Sequence, residues 1–170
     1  MSYTTELIHR SNQKYSSQYG GTLANHLPMA LVALEQMGAK PEHLDRFYAR
    51  YCKKLSPIES SLGLVFDENS WHKYLGQDKY HIEYLDYFSK AIATDGVKLV
   101  MNKHLPILFR GVGGGAFHGL IRLAYAFDSS NEEEIIAALS YWAVSYLDLQ
   151  ADQYRGEKPT KSLGQMIDIL

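Results

Sequence analysis

The stretch from Leu105 to Phe127 constrains the fold more than any other part of the chain. It reads Leu-Pro-Ile-Leu-Phe-Arg-Gly-Val-Gly-Gly-Gly-Ala-Phe-His-Gly-Leu-Ile-Arg-Leu-Ala-Tyr-Ala-Phe, apolar on both flanks, with Gly111, Gly113, Gly114 and Gly115 in the middle. A glycine inside a helix costs roughly 1 kcal/mol relative to Ala, so this cluster predicts a tight, close-packed turn. The residues after it return to helical spacing and place His118, Arg122 and Tyr125 at i, i+4 and i+7, on one face. An imidazole and a guanidinium on a mostly apolar helix need partners, because a buried polar group left unpaired is costly. The stretch therefore implies a polar site set into a core, or a structural network, with the other half supplied by the rest of the chain.

Helical spacing recurs elsewhere. Thr4 or Thr5 is placed to cap a first helix running to about Tyr19, with Leu7, Ile8, Tyr15 and Tyr19 as its apolar members and Gly20-Gly21 as its stop. Pro28 fits only a first turn, which makes Asn25 the expected N-cap and sets His26 at the mouth of a helix ending at Gly38. Pro41 opens the next helix, with Leu44, Phe47, Tyr48, Tyr51 and Leu55 as its apolar stripe. Residues 56–69 read as a long loop, and its Leu62, Leu64, Val65 and Phe66 predict that it packs down. Ser70 caps a short helix broken at Gly76, a longer helix covers about Asp78 to Thr94, and Val97 to Leu105 forms another that Pro106 kinks or ends. Asn131 caps a helix expected to reach about Asp152, with Glu132, Glu133 and Glu134 complementing the dipole of its first turn. Ser162 is placed to cap a last short helix ending at Leu170. Almost no segment alternates with period two. The fold class is therefore all-α, a compact bundle or array of about seven to eight helices with no significant β-sheet, in one domain over residues 1–170.

Charge and composition remove several functions. A net charge of −2 and a pI near 6.4 give no electrostatic case for nucleic acid or an anionic membrane. No apolar run approaches the ~20 residues that span a bilayer. With Cys52 as the single cysteine, no intramolecular disulfide can form, which fits a reducing, cytoplasmic setting. Aromatic residues are plentiful, with 13 Tyr, 6 Phe and 2 Trp. Tyrosines fill helix interfaces and also line pockets for flat organic molecules.

Gly111-Val-Gly-Gly-Gly-Ala116 satisfies the letter pattern of a dinucleotide fingerprint. That motif works only between a strand and a helix of a parallel sheet, and nothing else in the chain supplies a sheet. The glycines read better as a turn allowing close helix contact. Of the histidines, His43 and His72 neighbour charged residues and are expected in solvent, whereas His26 and His118 have apolar neighbours and are expected inside. No histidine pair with metal-ligand spacing falls on one convincing buried face. Asp148 and Asp152, at i and i+4, read as solvated surface. Cys52, beside Lys53 and Lys54, reads as structural.

Several segments resemble the questin-oxidase-like family. Asn25-His-Leu-Pro-Met-Ala-Leu-Val-Ala-Leu34 with the following Met-Gly-Ala-Lys-Pro-Glu turn is similar to its first motif, and Ala116-Phe-His-Gly-Leu-Ile-Arg-Leu-Ala-Tyr-Ala126 to its second histidine motif. Trp71-His-Lys-Tyr-Leu-Gly76, Tyr84-Leu-Asp-Tyr-Phe88 and Leu105-Pro-Ile-Leu108 resemble the region between. The resemblance implies a helical fold, here matching the N-terminal half of longer family members. It also implies oxidation of planar aromatic, polyketide-type rings, in some relatives at a non-haem iron held by histidines. Carried onto this chain, it makes His26 and His118 the candidate iron ligands and Arg122 and Tyr125 the candidate catalytic residues. Further family histidines fall where this chain has Met29 or Ala30 and Arg122, so two histidines would hold only part of a metal site. A homodimer is then expected, with a small aromatic substrate and no nucleic-acid or membrane partner. The other function open to the sequence is a non-catalytic helical binding or dimerisation module, with His26, Arg122 and Tyr125 in a buried structural network.

Overall fold

The computed structural model describes residues 2–148. Among them are seven α-helices: α1 (Tyr3–Asn12), α2 (Leu27–Gln36), α3 (Pro41–Cys52), α4 (His81–Asp95), α5 (Val97–Leu108), α6 (His118–Asp128) and α7 (Glu132–Val144). Short 3-10 turns at Trp71–Tyr74, Asp78–Tyr80, Phe109–Gly111 and Gly114–Phe117 link them. The β-structure is one ribbon, β1 (Gln18–Tyr19) antiparallel to β2 (Leu23–Ala24). The all-α expectation holds, and among the described residues no parallel sheet surrounds the glycine turn.

Helix α7 is apolar all round, as a central helix must be. Every residue from Ala137 to Val144 is buried, with Trp142 and Leu139 fully so. It packs against α4 and α6 within a larger apolar cluster that includes Tyr84, Phe88, Val100, Leu108 and Trp142. A smaller cluster joins α1, α2 and α3 through Leu7, Ile8, Leu27, Leu31, Val32 and Leu44. Helix α6 touches both: it packs on α7 and α2, and Tyr125 lies against the smaller cluster.

Four expectations are corrected. Helix α1 ends at Asn12 rather than near Tyr19, and Ser2 caps it by accepting from the Thr5 N–H. Gly20 and Gly21 take positive φ and turn the chain back as the β1–β2 hairpin, so Tyr19 belongs to a strand. Helix α5 runs through Pro106 to Leu108. Helix α7 stops at Val144, where the Gly76 N–H donates to the Ala143 carbonyl at 2.9 Å. Asp152 and the helix expected to follow Ser162 lie outside the described residues. The loop over 56–69 is held by Phe66, which is buried, while Leu62, Leu64 and Val65 stay exposed. Its second anchor is polar: the buried Glu83 carboxylate accepts from the Ser61 hydroxyl and the Leu62 and Gly63 N–H groups, at 2.8, 2.6 and 3.2 Å. Burial alone would raise the Glu83 pKa, but these hydrogen bonds hold it below the usual value.

The glycine turn is close-packed for a definite reason. A Cβ on Gly114 would lie 1.9 Å from the Ser145 carbonyl oxygen, and one on Gly111 would meet the Tyr146 ring at 2.4 Å. The turn is thus pressed against the C-terminal end of α7, which fixes where α6 begins.

Candidate functional site

Two histidines separated by 92 positions meet where α2 and α6 begin: His26 Nε2 and His118 Nε2 are 2.8 Å apart, with the rings edge to face at 84°. His118 is half-buried. His26 is exposed rather than inside, because it precedes the first turn of α2 and not its apolar stripe. The N-cap of α2 is His26 and not the expected Asn25; Asn25 lies one residue earlier, where its Oδ1 accepts from the Leu27 N–H at 3.0 Å.

The other ring nitrogens settle the tautomers. His26 Nδ1 lies 2.7 Å from the Ala24 carbonyl and His118 Nδ1 lies 2.6 Å from the Gly115 carbonyl. A carbonyl can only accept, so both Nδ1 atoms carry the proton and donate. In the neutral rings both Nε2 atoms are then bare lone pairs aimed at each other. At 2.8 Å one shared proton closes the contact; a metal bound to both nitrogens at about 2.1 Å would sit beside the line that joins them, not on it. Donation of the second ring N–H to a backbone carbonyl is the usual support of a metal-bound histidine, so the donor set fits two ligands of a transition metal. Among the described residues no group of three or more His, Cys, Asp or Glu could hold a metal ion. Although the residue is exposed overall, partial desolvation of the ring holds the His26 pKa below its usual value, with His118 and Lys54 acting in the same direction and the bond to Ala24 opposing.

Strained backbone builds the His118 half. Gly115, Ala116 and Phe117 take φ of 56°, 52° and 66° in succession, a left-handed run that is unfavourable for the last two. It curls the Gly115 carbonyl back onto the His118 ring. Phe117 and Ile121 remain 53% and 40% exposed, leaving an apolar rim beside the pair. A shallow groove of about 290 Å³ runs along it, walled by Met29, Ala33, Ile121 and Tyr125 as well as both imidazoles.

Of the four residues that the sequence nominates, His26, His118 and Tyr125 line this groove and Arg122 does not. One helical turn past His118, Arg122 is 2% exposed, and its Nε and Nη2 donate to the two carboxylate oxygens of Glu134 at 2.6 and 3.1 Å. Its Nη2 also reaches Asn12 Oδ1 at 3.2 Å, and Asn12 Nδ2 donates to Glu134 at 3.0 Å. This network ties α1, α6 and α7 together. The sequence presents Glu134 as a first-turn acid, and its N–H is indeed capped by Asn131, but its side chain is turned inward. The nearby His81 Nε2 is buried with no hydrogen-bond partner among the described residues. Burial, with repulsion from Arg122, pushes its pKa down to about 3 against a smaller opposing pull from Glu83.

Sequence reasoning also leaves His104 unassigned. It is buried in the larger cluster, where its Nδ1 donates to the Val100 carbonyl at 2.7 Å and its Nε2 accepts from the Tyr87 hydroxyl at 2.7 Å. Trp71 and Phe88 flank the ring.

The site and fold together describe a helical protein with a two-histidine centre open to solvent on one side. The sequence profile of the family described as questin oxidase-like matches residues 23–170, and the chain belongs to that family. It is 24% identical over 127 residues to questin oxidase of Aspergillus terreus (strain NIH 2624 / FGSC A1156). The match covers 68% of this chain and 28% of that enzyme, so the chain spans only a minor part of this curated relative's length. No helix among the described residues is long and apolar enough to cross a membrane.

Proposed function

We propose that the chain is an oxidoreductase acting on a planar aromatic, polyketide-type ring, with His26 and His118 as two ligands of a non-haem iron. The observation that carries this reading is the convergence of two bare Nε2 lone pairs, each ring fixed by a backbone carbonyl. Family membership points the same way for the reaction class. Iron held there would supply Lewis acidity and one-electron redox change. The chain's own part is to hold the two imidazoles in the ligating tautomer, to present an apolar groove for a flat ring, and to offer the Tyr125 hydroxyl as a hydrogen-bonding group on its wall. Arg122 acts at one remove, fixing α6 through Glu134. We assign the remaining ligands to a second copy of the chain docked over Phe117 and Ile121.

Metal content per chain tests the proposal. Protein prepared without a His-tag or chelator, then given ferrous iron anaerobically, is expected to retain iron, and His26→Ala and His118→Ala are each expected to lose it. Metal-free wild type after that treatment would overturn the reading. The 2.8 Å contact then favours the second reading, a non-catalytic module in which the histidines share one proton and clamp α2 to α6.

A further inference from the structure

Next to the histidine pair lies a second concavity of about 420 Å³ on the outer face of α3, lined by Phe47, Arg50, Tyr51 and Lys54. Its apolar side is a pair of aromatic rings packed on each other, Phe47 and Tyr51, with centres 5.5 Å apart and planes tilted by 42°. Its polar groups are two cations, and among the described residues neither has a carboxylate within ion-pair distance. Lys54 instead sits over aromatic faces, with Nζ 3.8 Å from the Tyr51 ring centre and 5.3 Å from that of Tyr19. The concavity adjoins the histidine centre through one side chain: the Tyr51 hydroxyl accepts the His26 backbone N–H at 3.1 Å.

We infer that this α3 concavity is a binding site for a flat aromatic ring bearing an anionic oxygen. The ring stacks on Phe47 and meets Tyr51 at its edge, since Phe47 and Tyr51 are tilted by 42° and Lys54 covers the Tyr51 face; the oxygen is met by Arg50 and Lys54. Arg50 presents a planar fork suited to two oxygens, and Lys54 a point charge already held in place by stacking. Four residues supply the two features that such a ligand needs and no carboxylate competes for them. The inference deepens the proposed function by naming the charge of the ligand taken up beside the centre, and it stands on different residues from the iron reading.

The test is calorimetric titration of the full chain with three probes: 2-naphthoate, its neutral amide, and cyclohexanecarboxylate, which keeps the charge and lacks the flat ring. Naphthoate is expected to bind about tenfold or more tighter than either control. An Arg50→Gln/Lys54→Gln variant is expected to lose that preference; both side chains are exposed, and circular dichroism verifies the fold. A His26→Ala/His118→Ala variant is expected to bind naphthoate within about twofold of wild type. Equal affinity for naphthoate and its amide, no binding of naphthoate, or full preference in the Arg50→Gln/Lys54→Gln variant would overturn the inference. So would binding lost only in the histidine variant, which would put the ligand in the α2–α6 groove. Iron-free protein that still shows the charge preference removes the proposed function and leaves this site standing.

Discussion

His104 and the His26–His118 pair use the same device in two regions and end differently. In each ring Nδ1–H is committed to a backbone carbonyl, so in the neutral ring Nε2 can only accept. In the core, the Tyr87 hydroxyl answers His104 and the contact is closed among Trp71 and Phe88. At the α2–α6 edge no hydroxyl answers, and two acceptors face each other beside a solvent-exposed groove. Along α6 the contrast repeats over one turn: Arg122 is held in the interior by Glu134 and Asn12, while His118 meets only the His26 ring at a solvent-facing edge. A satisfied polar group is architecture. The unsatisfied pair is where chemistry can enter.

The strongest way to break this contrast is to open a saturated member. Glu134→Ala strands the Arg122 guanidinium in the interior and is expected to cost about 3–5 kcal/mol of stability by urea denaturation. A loss below 1 kcal/mol would mean that the network is not architectural. Tyr87→Phe leaves His104 Nε2 without its donor and is expected to cost about 1–3 kcal/mol in the same assay. The buried neutral His81 gives a pH-dependent version. Its folded pKa, about 3, lies below the ordinary value of 6.5, so the unfolded chain binds the extra proton between those limits. Stability is then full above pH 6.5 and falls with acidification towards 3, by about 1.4 kcal/mol per pH unit from this group. His81→Gln should remove that slope between pH 6 and 4; an unchanged slope would show that His81 protonates without cost. The smallest effect is predicted at the open pair, where His118→Ala should change stability by no more than about 0.5 kcal/mol while abolishing iron retention. Equal losses from Glu134→Ala and His118→Ala would erase the distinction.

How much of this the sequence discloses follows from which interactions leave a signature. Helices with a 3.6-residue apolar period are legible, as are the Asn131 cap and the glycine turn. The end of α1 is misread because Tyr15 and Tyr19 continue the period past Asn12, while the two-residue strands that hold Tyr19 are too short to alternate. The sequence nominates His26, His118 and Tyr125, and the three line one groove. Their pairing is not, since the groups that aim the imidazoles are the Ala24 and Gly115 carbonyls, and a backbone oxygen has no letter. The left-handed turn at Ala116 and Phe117 is equally silent, since neither is glycine. Arg122 announces its need for a partner, but Glu134 is one of three consecutive glutamates in a first turn, and only packing picks it out.

The network around Arg122 also bears on the order in which the chain assembles. Asn12 meets Glu134 across 122 positions, and His9 meets Glu133 across 124, at 2.7 Å. Helices α6 and α7 are neighbours in sequence and pack from local contacts, whereas α1 reaches them only by closing almost the whole described chain into a loop. Contacts of such separation form slowly and late. Helix α1 is therefore the last latch, made before α6 and α7 in synthesis and seated after them in folding. In pulse-labelled hydrogen exchange, amides of α7 should gain protection before those of α1; the reverse order would place the nucleus at the N-terminus.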